Sequence, residues 1–124
     1  MLPLLVANAI VMAFIVTNHS LSPLTEVNDP LANSLSVTSP PLVEWLTLGF
    51  GYHVEHHLFP SLSSRHAWRV RAAVQQRWPE RYQSMPLLQA LLALHRTGRV
   101  YANDVTLMDP RTGKTWPTLL PRTT

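Results

Sequence analysis

Residues 2–16 read LPLLVANAIVMAFIV, an uncharged stretch in which only Pro3 and Asn8 interrupt the apolar side chains. A run with no polar face predicts a helix that is apolar all round, and such a helix belongs in lipid or in a deep core. At about 1.5 Å per residue the stretch rises roughly 22 Å, short of a hydrocarbon layer of ~30 Å, so it reads as a partial membrane span. A buried core helix is the competing reading. A secretory signal fits poorly, because signals carry a basic n-region and no Lys or Arg lies near Met1.

Outward from that run the charge is segregated. Residues 1–64 hold four acidic side chains and no Lys or Arg, whereas residues 65–124 hold all ten basic residues and three acids. The 124 residues suffice for one small domain. With no cysteine, thiolate metal sites, iron–sulfur clusters and disulfides are excluded, and any metal must be held by imidazole or carboxylate. No phosphate-binding glycine loop, dinucleotide fingerprint, Ser-His-Asp arrangement or nucleic-acid motif accompanies the basic half.

Residues 18–41 form a connector rich in Pro, Ser, Thr and Asn. An apolar pattern resumes at Leu42 and predicts a helix toward Pro60, loosened by Gly49 and Gly51 just before a group of histidines. Ser63 and Ser64 are candidate caps for a basic helix ending near Arg77. Its Trp68, Val70, Ala72, Ala73, Val74 and Trp78 supply apolar contact and Arg65, Arg69, Arg71 and Arg77 supply charge, as on a membrane surface. A further helix is expected over Pro86–Arg96, with Ser84 as cap, Pro86 in the first turn and Gly98 past the end. Residues 99–124 read as a tail with a turn at Asp109–Gly113. Trp45, Trp68, Trp78 and Trp116 fit either an interfacial belt or ordinary packing.

The chemistry lies in His53, His56 and His57, an H-x-x-H-H pattern. At about 100° per residue on a helix the three fall within one arc of roughly 100°. Neutral imidazoles on one face suit Fe, Zn, Cu or Ni and can share one ion or two neighbouring ions. Glu55 sits between them, placed either to orient a ring by accepting its second N–H or to remain a solvated acid. His66 and His95 read as surface groups, His95 near a helix C-terminus where a partial positive charge complements the dipole.

The stretch Gly51–His66, GYHVEHHLFPSLSSRH, closely resembles the third histidine box of membrane-bound fatty acid desaturases. The likeness extends upstream through TNHSLSPLTEVNDPL (residues 17–31) and downstream through the basic helix. It implies a fragment from the C-terminal part of such an enzyme, with a non-haem di-iron centre built from three histidine boxes and one additional ligand. It carries His53, His56 and His57 over as iron ligands and suggests His19 as the additional one. The first two boxes have no counterpart in these residues, so the resemblance implies iron shared with residues absent from this chain. It also implies a dioxygen-dependent oxidoreductase acting on an acyl-CoA or acyl-lipid, with a ferredoxin or cytochrome as electron donor. An unactivated methylene has no acidic proton, so acid–base groups alone cannot start such chemistry.

The expected fold class is therefore all-α: a membrane-associated helical fragment with one partial transmembrane helix (1–17), a connector (18–41), a histidine-box segment (42–60), amphipathic basic helices (61–98) and a tail (99–124). Because Lys and Arg favour cytoplasmic flanks, the metal site and C-terminus are expected at the cytoplasmic face. A membrane-anchored metal-binding module without catalysis, or a related di-iron hydroxylase, are the alternatives.

Overall fold

A computed structural model describes residues 1–97 and 100–119. Helix α1 spans Leu2–His19, with a proline in its first turn where a missing N–H costs nothing. It outruns the expected end at residue 17. The Thr17 hydroxyl donates to the Ala13 carbonyl, and Thr17 and Asn18 are fully buried by the rest of the chain, which holds the last turn helical. At 18 residues, or about 27 Å, α1 is long and apolar enough to cross a membrane. Residues 1–13 are all exposed, so the apolar N-terminal part has no protein partner among the described residues. That exposure suits lipid better than a soluble core.

After α1 come α2 (Pro30–Asn33), β1 (Ser36–Thr38), α3 (Pro41–Leu46) and α4 (His53–Leu58), followed by a 3-10 turn at Ser64–His66 and α5 (Ala67–Arg77). The segment 42–60 is thus two short helices rather than one. Leu48 (φ 53°) and Gly49 (φ 74°) take left-handed backbone between them, which breaks the helix and turns the chain back. The expected serine caps also differ: Ser63 precedes the 3-10 turn without a side-chain capping bond, and His66 stands at the start of α5.

The all-α expectation needs correction, because small sheets complete the structure. β2 (Ser84–Pro86) pairs in parallel with β1, matching Ser36 to Ser84. Ser84 is therefore a strand residue rather than a helix cap, and α6 begins at Leu87 and ends at Arg96. Its expected stop at Gly98 lies outside the described residues. Of its leucines, Leu94 is buried while Leu88 stays 70% exposed.

Residues 100–117 form an antiparallel sheet, β3 (Val100–Asn103), β4 (Thr106–Met108) and β5 (Thr115–Pro117), where a loose tail was expected. The turn at Asp109–Gly113 is present, with the Asp109 carboxylate accepting from the Arg111 N–H and the Thr112 hydroxyl. The strands around it were missed because each is too short to show a period; the Asn103–Asp104 pair before Val105 was the available hairpin signal. The final residues, 120–124, lie outside the described residues.

Two clusters hold these pieces together. Phe14, Leu21, Leu35, Val37, Ala90, Leu94 and Leu107 join the end of α1 to β1, α6 and β4. Leu31, Val54, Val74 and Tyr82 join α2, α4 and α5. The sheet is tied to the loop after α1: the Tyr101 hydroxyl donates to the Ser22 carbonyl at 2.7 Å, and the Leu24 N–H donates to the Asp104 carbonyl. Tyr101→Phe is expected to lower stability by about 1 kcal/mol, read from a denaturant midpoint.

Candidate metal centre

The last turn of α1 and the first turns of α4 meet because β1 lies between them in the core. The Leu35 N–H donates to the Asn18 carbonyl and the Val37 N–H to the Gly51 carbonyl, so one short strand ties the end of α1 to the turn that opens α4. Gly51 is required for this closeness. A Cβ there stands 2.6 Å from the Val37 carbonyl oxygen, a backbone atom with no freedom to move away. Gly51→Ala is expected to destabilise the chain by about 1–3 kcal/mol, measured by chemical unfolding.

The result is a convergence of three imidazoles. The Nε2 atoms of His53 and His19 lie 2.7 Å apart, and those of His57 and His53 lie 3.0 Å apart. All three rings offer a nitrogen within 4.8 Å of the others. His53 is buried, His19 half-buried and His57 exposed. The His19 Nδ1 faces the Asn33 carbonyl at 3.4 Å, an arrangement that favours the proton on Nδ1 and leaves the Nε2 lone pair toward the cluster.

Electrostatics keep His53 and His57 in the ligating form. Burial, then the neighbouring His19, His57 and His56, pushes the His53 imidazole down to about 3 from its ordinary 6.5. Burial, with His19 and His56 beside it, also lowers His57. His53 and His57 are therefore neutral at pH 7. Neutral Nε2 atoms in contact are poorly satisfied by one another, because His53 Nε2 has a single in-plane lone pair or proton for two neighbours. A cation meets all three lone pairs at once. The two contact distances, 2.7 and 3.0 Å, are near the ~3.0 Å between neighbouring ligands at right angles on an ion bound at about 2.1 Å. The donor set thus fits a transition metal that accepts imidazole.

His56 is not part of this trio. It is exposed, its ring centroid 5.9 Å from that of His57, and it lines the same cleft. The cleft, about 460 Å³, is bounded by all four histidines together with Ile15, Leu48, Phe50 and Leu62. Imidazoles line one part of it and apolar side chains the rest.

Glu55 points elsewhere. Its carboxylate is fully buried and accepts from Ser36 Oγ at 2.6 Å, Arg71 Nε at 3.0 Å and the Tyr82 hydroxyl. It touches no imidazole among the described contacts and is closed off from solvent, so it is neither the ring-orienting acceptor nor the solvated acid that the sequence allows and bonds to the protein interior instead. Burial, then Glu55, raises the Tyr82 phenol well above its ordinary range. Arg71, read from the sequence as surface charge, is only 12% exposed in its side chain. The signal for it was weak, since one Arg among several on a basic helix carries no mark of burial. His66 and His95 are exposed and outside the cluster. Trp45, Trp68 and Trp78 are exposed.

A family model for fatty acid desaturases matches residues 1–88. The chain belongs to the fatty acid desaturase family. The matched span takes in α1 to β2 and the start of α6, and with them His19, His53, His56 and His57 of the cleft and Glu55, Arg71 and Tyr82 of this desaturase-family chain. Most of α6 and the sheet β3–β5 lie beyond it. No curated protein and no solved structure matches the chain significantly.

Proposed function

We propose that this chain supplies part of the iron site of a fatty acid desaturase, with His53, His57 and His19 holding one ion and His56 facing a second. The observation that carries this reading is the convergence of three imidazole nitrogens, in a desaturase-family chain, at a cleft with apolar walls. Iron bound there supplies the dioxygen chemistry that a methylene C–H requires and that no acid or base in the cleft can provide. The His19 Nδ1 contact with Asn33 fixes that ring's tautomer, and burial holds His53 neutral. Ile15, Leu48, Phe50 and Leu62 offer an acyl chain a dry surface beside the histidines.

The electron balance defines the partners. Introducing a C=C bond takes two electrons from the acyl chain, whereas reducing dioxygen to two waters takes four. Two electrons therefore come from a donor such as ferredoxin or a cytochrome, and the oxidised substrate is an acyl-CoA or acyl-lipid. We place the histidines and the basic residues 65–77 at the cytoplasmic face of the membrane, on the distribution of Arg. Four imidazoles are too few for two irons, so residues outside these 124 complete the site.

Co-expression with a segment carrying two further histidine boxes tests this. The expected result is about two irons per assembly and unsaturated product. An alcohol product would point to a hydroxylase. One tightly held zinc with no product, which three converging nitrogens also suit, would point to a metal-binding module.

A further inference from the structure

Behind the histidines, on the opposite face of α4, lies a buried polar network that metal ligation does not use. Glu55 follows His53 by two residues and so stands about 200° around the helix from it. When the rings face the cleft, this carboxylate faces the interior. Three separate segments meet it there, β1 through Ser36, α5 through Arg71 and the stretch before β2 through Tyr82. Ser36 of β1 donates to one oxygen of Glu55 and accepts the Val54 N–H at 3.0 Å, filling a first-turn donor of a helix whose own N-cap residue, Tyr52, makes no side-chain capping bond. Arg71 of α5 donates through Nε to Glu55 and to the Tyr82 oxygen, and through Nη2 to the carbonyls of Val37 and Gly51 at 3.4 and 3.3 Å. Its guanidinium also lies over the Tyr52 ring at 4.0 Å.

We infer that Arg71, acting through Glu55, is a positioning residue that sets the rotation and depth of α4 and hence the meeting of His53 and His57 with His19. This inference rests on the metal reading above. Stability alone gives little reason for such a pair, since a buried ion pair is commonly matched or bettered by apolar residues of the same volume. What the pair supplies is direction. A planar fork addresses α4, the Gly51 turn and β1 at once, which neither an apolar side chain nor a lysine ammonium reproduces.

The test uses the full chain in detergent, with two readouts: cobalt(II) titration followed by its visible spectrum, and the ring-nitrogen NMR signals of the metal-free histidines. The decisive variant combines Glu55→Leu with Arg71→Met, which keeps the volume and removes the fork. Its thermal midpoint is expected to stay near that of the parent while cobalt affinity falls about 10- to 100-fold and the ring signals move. A parental affinity, spectrum and ring pattern at unchanged stability overturns the inference. If that variant does not fold, Tyr82→Phe decides, with a weaker and altered cobalt spectrum expected and an unaltered one overturning it. A parent chain that takes up no cobalt overturns the metal reading, and the ring signals of the variants then judge positioning by themselves.

Discussion

Replacing His53 by alanine is expected to weaken metal binding roughly 100-fold, more than the same change at either neighbour. His53 Nε2 is the central atom of the trio, 2.7 Å from His19 and 3.0 Å from His57, and it is the most buried of the three rings. Four-ligand structural zinc sites release about 10–16 kcal/mol, so one ligand accounts for about 2.5–4 kcal/mol, or roughly two to three orders of magnitude. His57→Ala should follow closely. His56→Ala should spare the first ion bound by the isolated chain and yet abolish activity in a completed enzyme, because its ring stands outside the trio but in the same cleft. His95→Ala, exposed near the end of α6, should change neither quantity. Cobalt titration of the four variants, beside product formation in the assembled enzyme, checks the ranking. A His95 effect equal to that of His53 would overturn the assignment.

Glu55→Ala carries the largest expected stability cost, about 3–5 kcal/mol, because it leaves the Arg71 guanidinium buried without its counter-charge. It also frees the Ser36 and Tyr82 hydroxyls from their shared acceptor. Adding Arg71→Met to that variant should restore much of the loss, since the unpaired charge is then gone. A denaturant-unfolding cycle over the single and double variants measures this. Additive losses would show that the two side chains do not act as a pair. The exposed ion pair of Arg81 with Asp29 gives the contrast: its removal should cost little, as solvent screens both groups.

Local chemistry made part of this protein legible in its sequence. The apolar run became α1, the H-x-x-H-H spacing put three imidazoles along one short helix, and Asp109–Gly113 became a turn, because each depends on residues within a few positions of one another. The Gly49 and Gly51 pair before the box likewise marked the place where the chain leaves α3, although only the structure shows that the helix stops there altogether. The family signature rested on the same local stretch.

Other features come from distant parts of the chain. His19 reaches His53 across 34 positions because β1 binds both the end of α1 and the Gly51 turn, and no periodicity encodes that path. Arg71 reads as solvated charge until α5 packs against α4 and puts it beside Glu55. The strands are three or four residues long, too short for an alternation pattern, and exist by pairing with partners. What the sequence by itself determined was which ligand chemistry is present and which helix face carries the box. Which nitrogens meet, and what braces the helix behind them, only the tertiary structure decided, because hydrogen bonds and burial between remote segments select one rotation of α4 from the many that its own residues permit.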